Sequence, residues 1–294
     1  MKKLTLELAN QETIAYNTFG NSDKPNLLLV HGNMSSGVHY EPIIEYLKDD
    51  FYLIVPDLRG FGDSSYHQPI ESLEDFADDL DSFLKALNID KVSLVGWSTG
   101  GGIGLKFAAK YPHRMEKLVL LESASFKGYP IFHKDASYQP ILTELYQTKD
   151  AMAKDPVQVL PAVMAMQNND IDFMKQVWEA AIYNVKVPEE ASLNRFLKET
   201  LKQRNLVDVD WALMTFNMSH VHNGVVDGDG TIDNLNCPVL SIYGEKDFVI
   251  TRNMFDETVE ALKNVETEVY SDGSHSPITD FPERLSKRIK TFLI

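Results

Sequence analysis

The stretch Val95-Gly96-Trp97-Ser98-Thr99-Gly100-Gly101 decides how the rest of the chain is read. It follows a short aliphatic run at residues 92–95 and precedes a helical pattern at residues 103–111, which puts the serine at a strand-to-helix turn. So tight a turn needs small residues at Gly96 and Gly100, because side chains there would meet neighbouring backbone. It lifts the Ser98 hydroxyl above the sheet edge and aims the Thr99 amide, at a helix N-terminus, toward developing negative charge. The same letters also describe a glycine-rich helix start packed closely on a strand.

On both sides of this turn, brief apolar runs alternate with amphipathic stretches. Residues 27–30, 52–55, 92–95, 118–121 and 239–243 are aliphatic and bounded by turn residues, as suits strands buried on both faces of a parallel sheet. Phe76, Leu80, Phe83, Leu84 and Leu87 recur at helical spacing behind a capping-box start at Ser72 and Asp75. Strands alternating with helices imply βαβ units and a doubly wound, mostly parallel α/β sheet. At the front, residues 5–8 and 14–18 predict a hairpin extending one edge.

The alternation stops after Glu122. Between residues 123 and 236 no strand-like run is read, and helical patterns cover 151–166, 171–183, 193–201 and 209–218, punctuated by prolines. The expected organisation is a core of residues 1–122 and 237–294 carrying a helical insertion, 123–236.

Composition narrows the function. The chain has 294 residues, 44% of them hydrophobic, enough for a sizeable core. Its net charge of −15 repels phosphate backbones and anionic surfaces, so no nucleic-acid partner is expected. No apolar run approaches the roughly 20 residues of a membrane span. The first residues alternate and meet Glu7, Asn10, Gln11 and Glu12 before a signal-type apolar core can form. One cysteine, Cys237, excludes an intrachain disulfide or a multi-thiolate metal centre, and a reducing cytoplasm is the expected compartment. Residues 227–233 imitate part of a calcium loop, but Val225 and Asn236 stand where the first and twelfth ligands belong; a polar turn and no metal are expected. Nothing here specifies an oligomeric state.

Other strand ends carry chemistry. Leu29-Val30-His31-Gly32-Asn33-Met34 ends an early strand, where the Asn33 amide, helped by Met34, could join Thr99 in binding an oxyanion. The His31 side chain is expected to hold that turn. Asp247 follows the run at 239–243, and His275 lies in a glycine-relieved loop after a strand at 266–270. Imidazole can take a serine proton and return it to a leaving group, while a carboxylate on its other nitrogen fixes the tautomer. Glu122, ending the strand after the Ser98 turn, is the competing acid.

The His31-Gly32 turn, Pro56-Asp57-Leu58-Arg59-Gly60-Phe61-Gly62-Asp63-Ser64, the Ser98 turn, Gly244-Glu245-Lys246-Asp247 and Gly273-Ser274-His275 together resemble the α/β-hydrolase superfamily. The resemblance runs from about residue 14 to the C-terminus, outside the insertion. It implies an α/β-hydrolase fold with a helical lid, a triad of Ser98, Asp247 and His275, and an oxyanion hole from the Asn33 and Thr99 amides. It also implies a small-molecule ester or lactone substrate, no cofactor, and an ion pair or backbone anchor at Asp57 and Arg59. Serine at position 98 counts against dehalogenases and epoxide hydrolases, which use aspartate. Asn33-Met34-Ser35-Ser36 replaces the Gly-Pro-Gly run usual in carbon–carbon bond hydrolases. Gly100-Gly101-Gly102 is faintly similar to cofactor-free haloperoxidases and perhydrolases, and a non-catalytic small-ligand receptor on the same fold is a separate class. Trp97 and Met34 are expected at the substrate. Met152, Met164, Met166, Met174, Met214 and Met218, with nearby aromatics, fit an apolar pocket or an ordinary helical core.

Overall fold

The computed structural model describes residues 3–294. Its strands are β1 (Leu4–Glu7), β2 (Thr13–Phe19), β3 (Asn26–Val30), β4 (Tyr52–Pro56), β5 (Val92–Trp97), β6 (Met115–Leu121), β7 (Phe132–Lys134), β8 (Pro140–Leu145), β9 (Val239–Gly244) and β10 (Val265–Tyr270). Eight of them form one sheet in the order β1-β2-β4-β3-β5-β6-β9-β10. β1 and β2 make the expected edge hairpin, with Leu4 opposite Tyr16, and β2 runs antiparallel to β4. From β4 onward the pairings are parallel. The order reverses between β3 and β5, so the crevice beyond their carboxyl ends is the place where such sheets bind ligands.

Period-two alternation explains why these strands read as unbroken aliphatic runs. Leu28 and Val30 enter the core on one face of the sheet, and Leu27 and Leu29 enter the core on the other. Helices Leu73–Ala86 and Thr99–Lys110 cover the first face; Glu41–Leu47 and Pro282–Leu293 cover the second. The Ser72 and Asp75 capping box forms as expected. Among the described residues no helix is long and apolar enough to cross a membrane.

The segment between β6 and β9 departs from its all-helical reading. β7 and β8 pair there as an antiparallel hairpin, Phe132 opposite Leu145. β7 is three half-buried residues and β8 is largely exposed, so no apolar alternation marks them, and Pro140 sits at the strand start where no ladder donor is lost. The pattern over 151–166 also splits, into helices Lys149–Met152 and Leu160–Asn168. Between them Asp155 accepts the amides of Val157 and Gln158, closing a turn that excludes a continuous helix. Helices Ile171–Ala181, Glu190–Thr200 and Leu206–Met214 follow.

Asp57 and Arg59 anchor the structure separately. Arg59 Nε pairs with Asp79 at 2.6 Å, while Asp57 accepts the amides of Gly37 and Asp63. Asp57, Asp63 and Glu199 converge, and Lys3 Nζ fills the space between them at 2.6, 3.1 and 3.1 Å. Burial opposes the charge on Lys3, but Asp57 and Glu199 raise its pKa above the ordinary lysine value. Burial likewise opposes the charges of Glu199 and Asp63, yet their bonds to Lys202 and Lys3 hold both below the usual carboxylate range. Lys3→Met takes from buried Asp57 its one cation among the described residues, whereas Asp63 and Glu199 keep Lys202. The expected loss at pH 7.5 is about 2 kcal/mol of unfolding free energy, read from urea midpoints. Glu199 and Asp63, lowered in part by Lys3, keep that contribution above their unfolded values of about 4 and lose it as pH falls through the lowered ones. The penalty therefore shrinks at pH 3.5; an equal penalty at both pH values would assign it to packing.

Candidate active site

Ser98 stands between β5 and helix Thr99–Lys110 with φ 56° and ψ −119°, a conformation that costs a non-glycine residue about 1–3 kcal/mol. Its main chain holds the strain in place. The Ser98 amide donates to Leu121 O at 2.9 Å, and Ser98 O accepts the amides of Gly101 and Ala124. A Cβ at Gly96 would overlap Gly100 O, and one at Gly100 would overlap the carbonyls of Val30 and His31. The two glycines thus let the helix start press against β3 and β5 at the reversal point of the sheet.

His275 lies in the loop after β10, buried, with Nδ1 2.7 Å from Asp247 Oδ2. Trp97 Nε1 donates to its main-chain oxygen at 2.7 Å, and Asp280 steadies the loop by accepting the Ser274 amide and hydroxyl. Asp247 follows β9; its Oδ1 accepts the amides of Val249 and Ile250 at 2.6 and 2.9 Å, which leaves Oδ2 for the imidazole. Burial works against the Asp247 charge, but His275 and these donors keep its pKa below the ordinary aspartate value. Ser98 and His275 border the same cavity, without a hydrogen bond joining them.

Glu122 stands behind this pair, fully buried, with φ 42°. No donor among the described residues reaches either of its carboxyl oxygens. Burial, and then the negative charge of Asp247, push its pKa well above the carboxylate range. A neutral acid suits the site, because its O–H can donate to Asp247, whereas an ionised group would set a second negative charge beside Asp247 away from water. The two competing acids are therefore stacked: Asp247 touches the imidazole and Glu122 backs Asp247.

The loop after β3 supplies the opposite wall. The Asn33 and Thr99 amides carry no hydrogen bond in the turns that hold them. The Met34 amide, expected as a helper, is taken: it donates to Gln203 Oε1 at 2.8 Å, with Met34 in the left-handed region at φ 51°. Gln203 Nε2 donates in turn to Asn33 Oδ1, and Asn33 Nδ2 donates to Asp210 Oδ1 at 2.8 Å. Burial lifts Asp210 to about 7, although the Asn33 bond lowers it in part. The cavity bounded by these residues holds about 300 Å³ and has mostly apolar walls, including Ala162, Phe173, Leu206, Leu213 and Val249.

A family model described as alpha/beta hydrolase fold matches residues 25–282. The chain belongs to that family. Among its relatives, an uncharacterized protein of Mycobacterium tuberculosis is 26% identical over 279 residues, covering 92% of this chain and 75% of the relative. The pimeloyl-[acyl-carrier protein] methyl ester esterase of Vibrio vulnificus is 25% identical over 276 residues, 91% of this chain and 94% of that one. The structure of an esterase (EaEST) from Exiguobacterium antarcticum shares the fold at a TM-score of 0.75 and 18% identity, covering 100% of this chain and 99% of that one.

Trp97 does not border the cavity of this α/β hydrolase. Alternation along β5 sends it, with Val95, into the core on the far face, where it supports the His275 loop from below. Met34 does border the cavity. The six methionines of the intervening segment do not; Met164 is exposed, and the other five are buried as ordinary core residues. His31 holds its turn: Nε2 accepts the Leu58 amide, Nδ1 faces Gly32 O, and burial lowers its pKa to about 4. His220 pairs with Asp233 on the surface, and Asp229 with Lys106, so the calcium-like stretch is a polar turn. Cys237 is half-buried, with its thiol raised by burial to about 11. Gln203 and Asp210 carried no sequence signal, since each lies about 170 residues or more from the loop it meets.

Proposed function

We propose that this hydrolase is a serine esterase or lactonase acting on a small, largely apolar substrate through an acyl-enzyme. The observation that carries the reading is the strained Ser98 at a cavity shared with the hydrogen-bonded His275–Asp247 pair. With Asp247 accepting from Nδ1–H, the lone pair of His275 lies on Nε2. As Ser98 Oγ attacks the acyl carbon, Nε2 takes its proton, and the Asn33 and Thr99 amides receive the oxyanion, each contributing about 3 kcal/mol. The imidazolium then protonates the departing alkoxide, leaving the acyl group esterified to Ser98. Water, deprotonated by His275, attacks that ester; the carboxylic acid leaves and Ser98 recovers its proton. A lactone gives the ring-opened hydroxy acid by the same steps, and the scheme draws on no cofactor.

In this reading, residues 123–236 act as a lid on a core formed by 1–122 and 237–294. Phe173 and Leu213 from the lid would then face the acyl or alcohol chain, with Met34 from the core. The esterase names of the Vibrio and Exiguobacterium proteins support the same reaction class. The test is wild-type protein with short p-nitrophenyl esters and a fluorophosphonate probe. Ester turnover and one label per chain, mapped to the Ser98 peptide by mass spectrometry, are expected. Protein that neither turns over esters or lactones nor takes the label would sink the proposal.

A further inference from the structure

Asp210 is the one carboxylate on the cavity wall among the described residues, and no lysine or arginine borders the cavity. Its Oδ1 accepts from Asn33 Nδ2, while no described residue donates to Oδ2. Gln203, the nearest amide of that network, gives its donors to Asn33 Oδ1 and Asn205 Oδ1. Helix Leu206–Met214 thus carries a half-satisfied acid into an apolar wall, where Leu206 and Leu213 accompany it. An acceptor that opens onto a mostly apolar cavity is poorly solvated there, and a ligand that brings a donor to it gains the hydrogen bond. Asn33 ties the carboxyl to the proposed oxyanion loop, so a carbonyl received by the Asn33 amide would have Asp210 as a neighbour.

We propose that Asp210 determines specificity by accepting a hydrogen bond from a hydroxyl or ammonium group that the substrate carries a few bonds from its ester carbonyl. This deepens the ester-hydrolase reading and rests on it. The net charge of −15 favours the approach of the ammonium form, and an isosteric amide would invert the site by turning the free acceptor into a donor.

The experiment compares methyl hexanoate with its 3-hydroxy and 3-amino derivatives by pH-stat at pH 7.5, on the wild type and Asp210→Asn. Asparagine can still accept from Asn33 Nδ2, so the loop tie is preserved. The wild type is expected to favour one substituted ester over methyl hexanoate by about tenfold or more in kcat/KM. A favoured hydroxy ester identifies a neutral donor; a favoured amino ester identifies a cation. In Asp210→Asn the ratio should fall to about one, chiefly through KM, and Asp210→Ser serves if that variant does not fold. Substituted and parent esters hydrolysed alike by the wild type would overturn the inference while leaving the esterase reading intact, as would a preference that survives the substitution. Failure to hydrolyse any ester or take the fluorophosphonate label would bring down both.

Discussion

Ser98→Ala should lower kcat/KM toward p-nitrophenyl esters by about 10⁵-fold and abolish fluorophosphonate labelling, while the protein melts as a folded domain. The separation of fold from activity follows from the geometry of the turn. Every hydrogen bond that holds residue 98 at φ 56° uses its main chain, from the amide on Leu121 O to the carbonyl that accepts Gly101 and Ala124. Alanine keeps all of them and loses only the hydroxyl. A small residual rate is expected, because the Asn33 and Thr99 amides still favour a tetrahedral oxyanion formed by direct attack of water. A loss of less than about tenfold would remove Ser98 from the role of nucleophile.

Asp247→Asn should cost about 10⁴-fold in kcat, the scale seen when such a carboxylate becomes an amide in a serine protease. The direction of its hydrogen bonds explains the size. Oδ1 receives the amides of Val249 and Ile250, so an asparagine must place its oxygen there and turn its NH₂ toward His275 Nδ1. The imidazole then has to accept at Nδ1, its proton moves to Nε2, and the base that should meet Ser98 is lost. Glu122 offers no substitute, since it is buried and held neutral behind Asp247. Stopped-flow and steady-state kinetics of Asp247→Asn decide the point. A variant within tenfold of wild type would transfer the acid's role to Glu122.

Most of the fold and the outline of the candidate site were legible because their signals are local. A parallel strand buried on both faces must be aliphatic at consecutive positions, and a serine turn squeezed between strand and helix must be flanked by glycine. The hairpin β7–β8 escaped the same reading because its half-buried and exposed residues follow no apolar period and its ladder exists only once the strands meet. Trp97 lies away from the cavity wall for a related reason. Residue type marked it as a ligand contact, but the pleat of β5 turns it into the far core.

The amino-acid sequence by itself determined the order of the strands and helices of the main sheet and pointed to Ser98, Asp247 and His275 as candidates after three of its strands. Turn chemistry and hydrophobic periodicity act over a few residues and survive without a partner. Tertiary structure alone decided which groups meet: Gln203 on the Met34 amide, Asp210 on Asn33, Glu122 behind Asp247 and Lys3 among three carboxylates. Hydrogen bonds and charge pairs act across a few ångströms of space, and the Asn33–Asp210 contact spans 177 residues of chain. Such contacts, and the burial that shifts their proton equilibria, arise only when the whole core has packed.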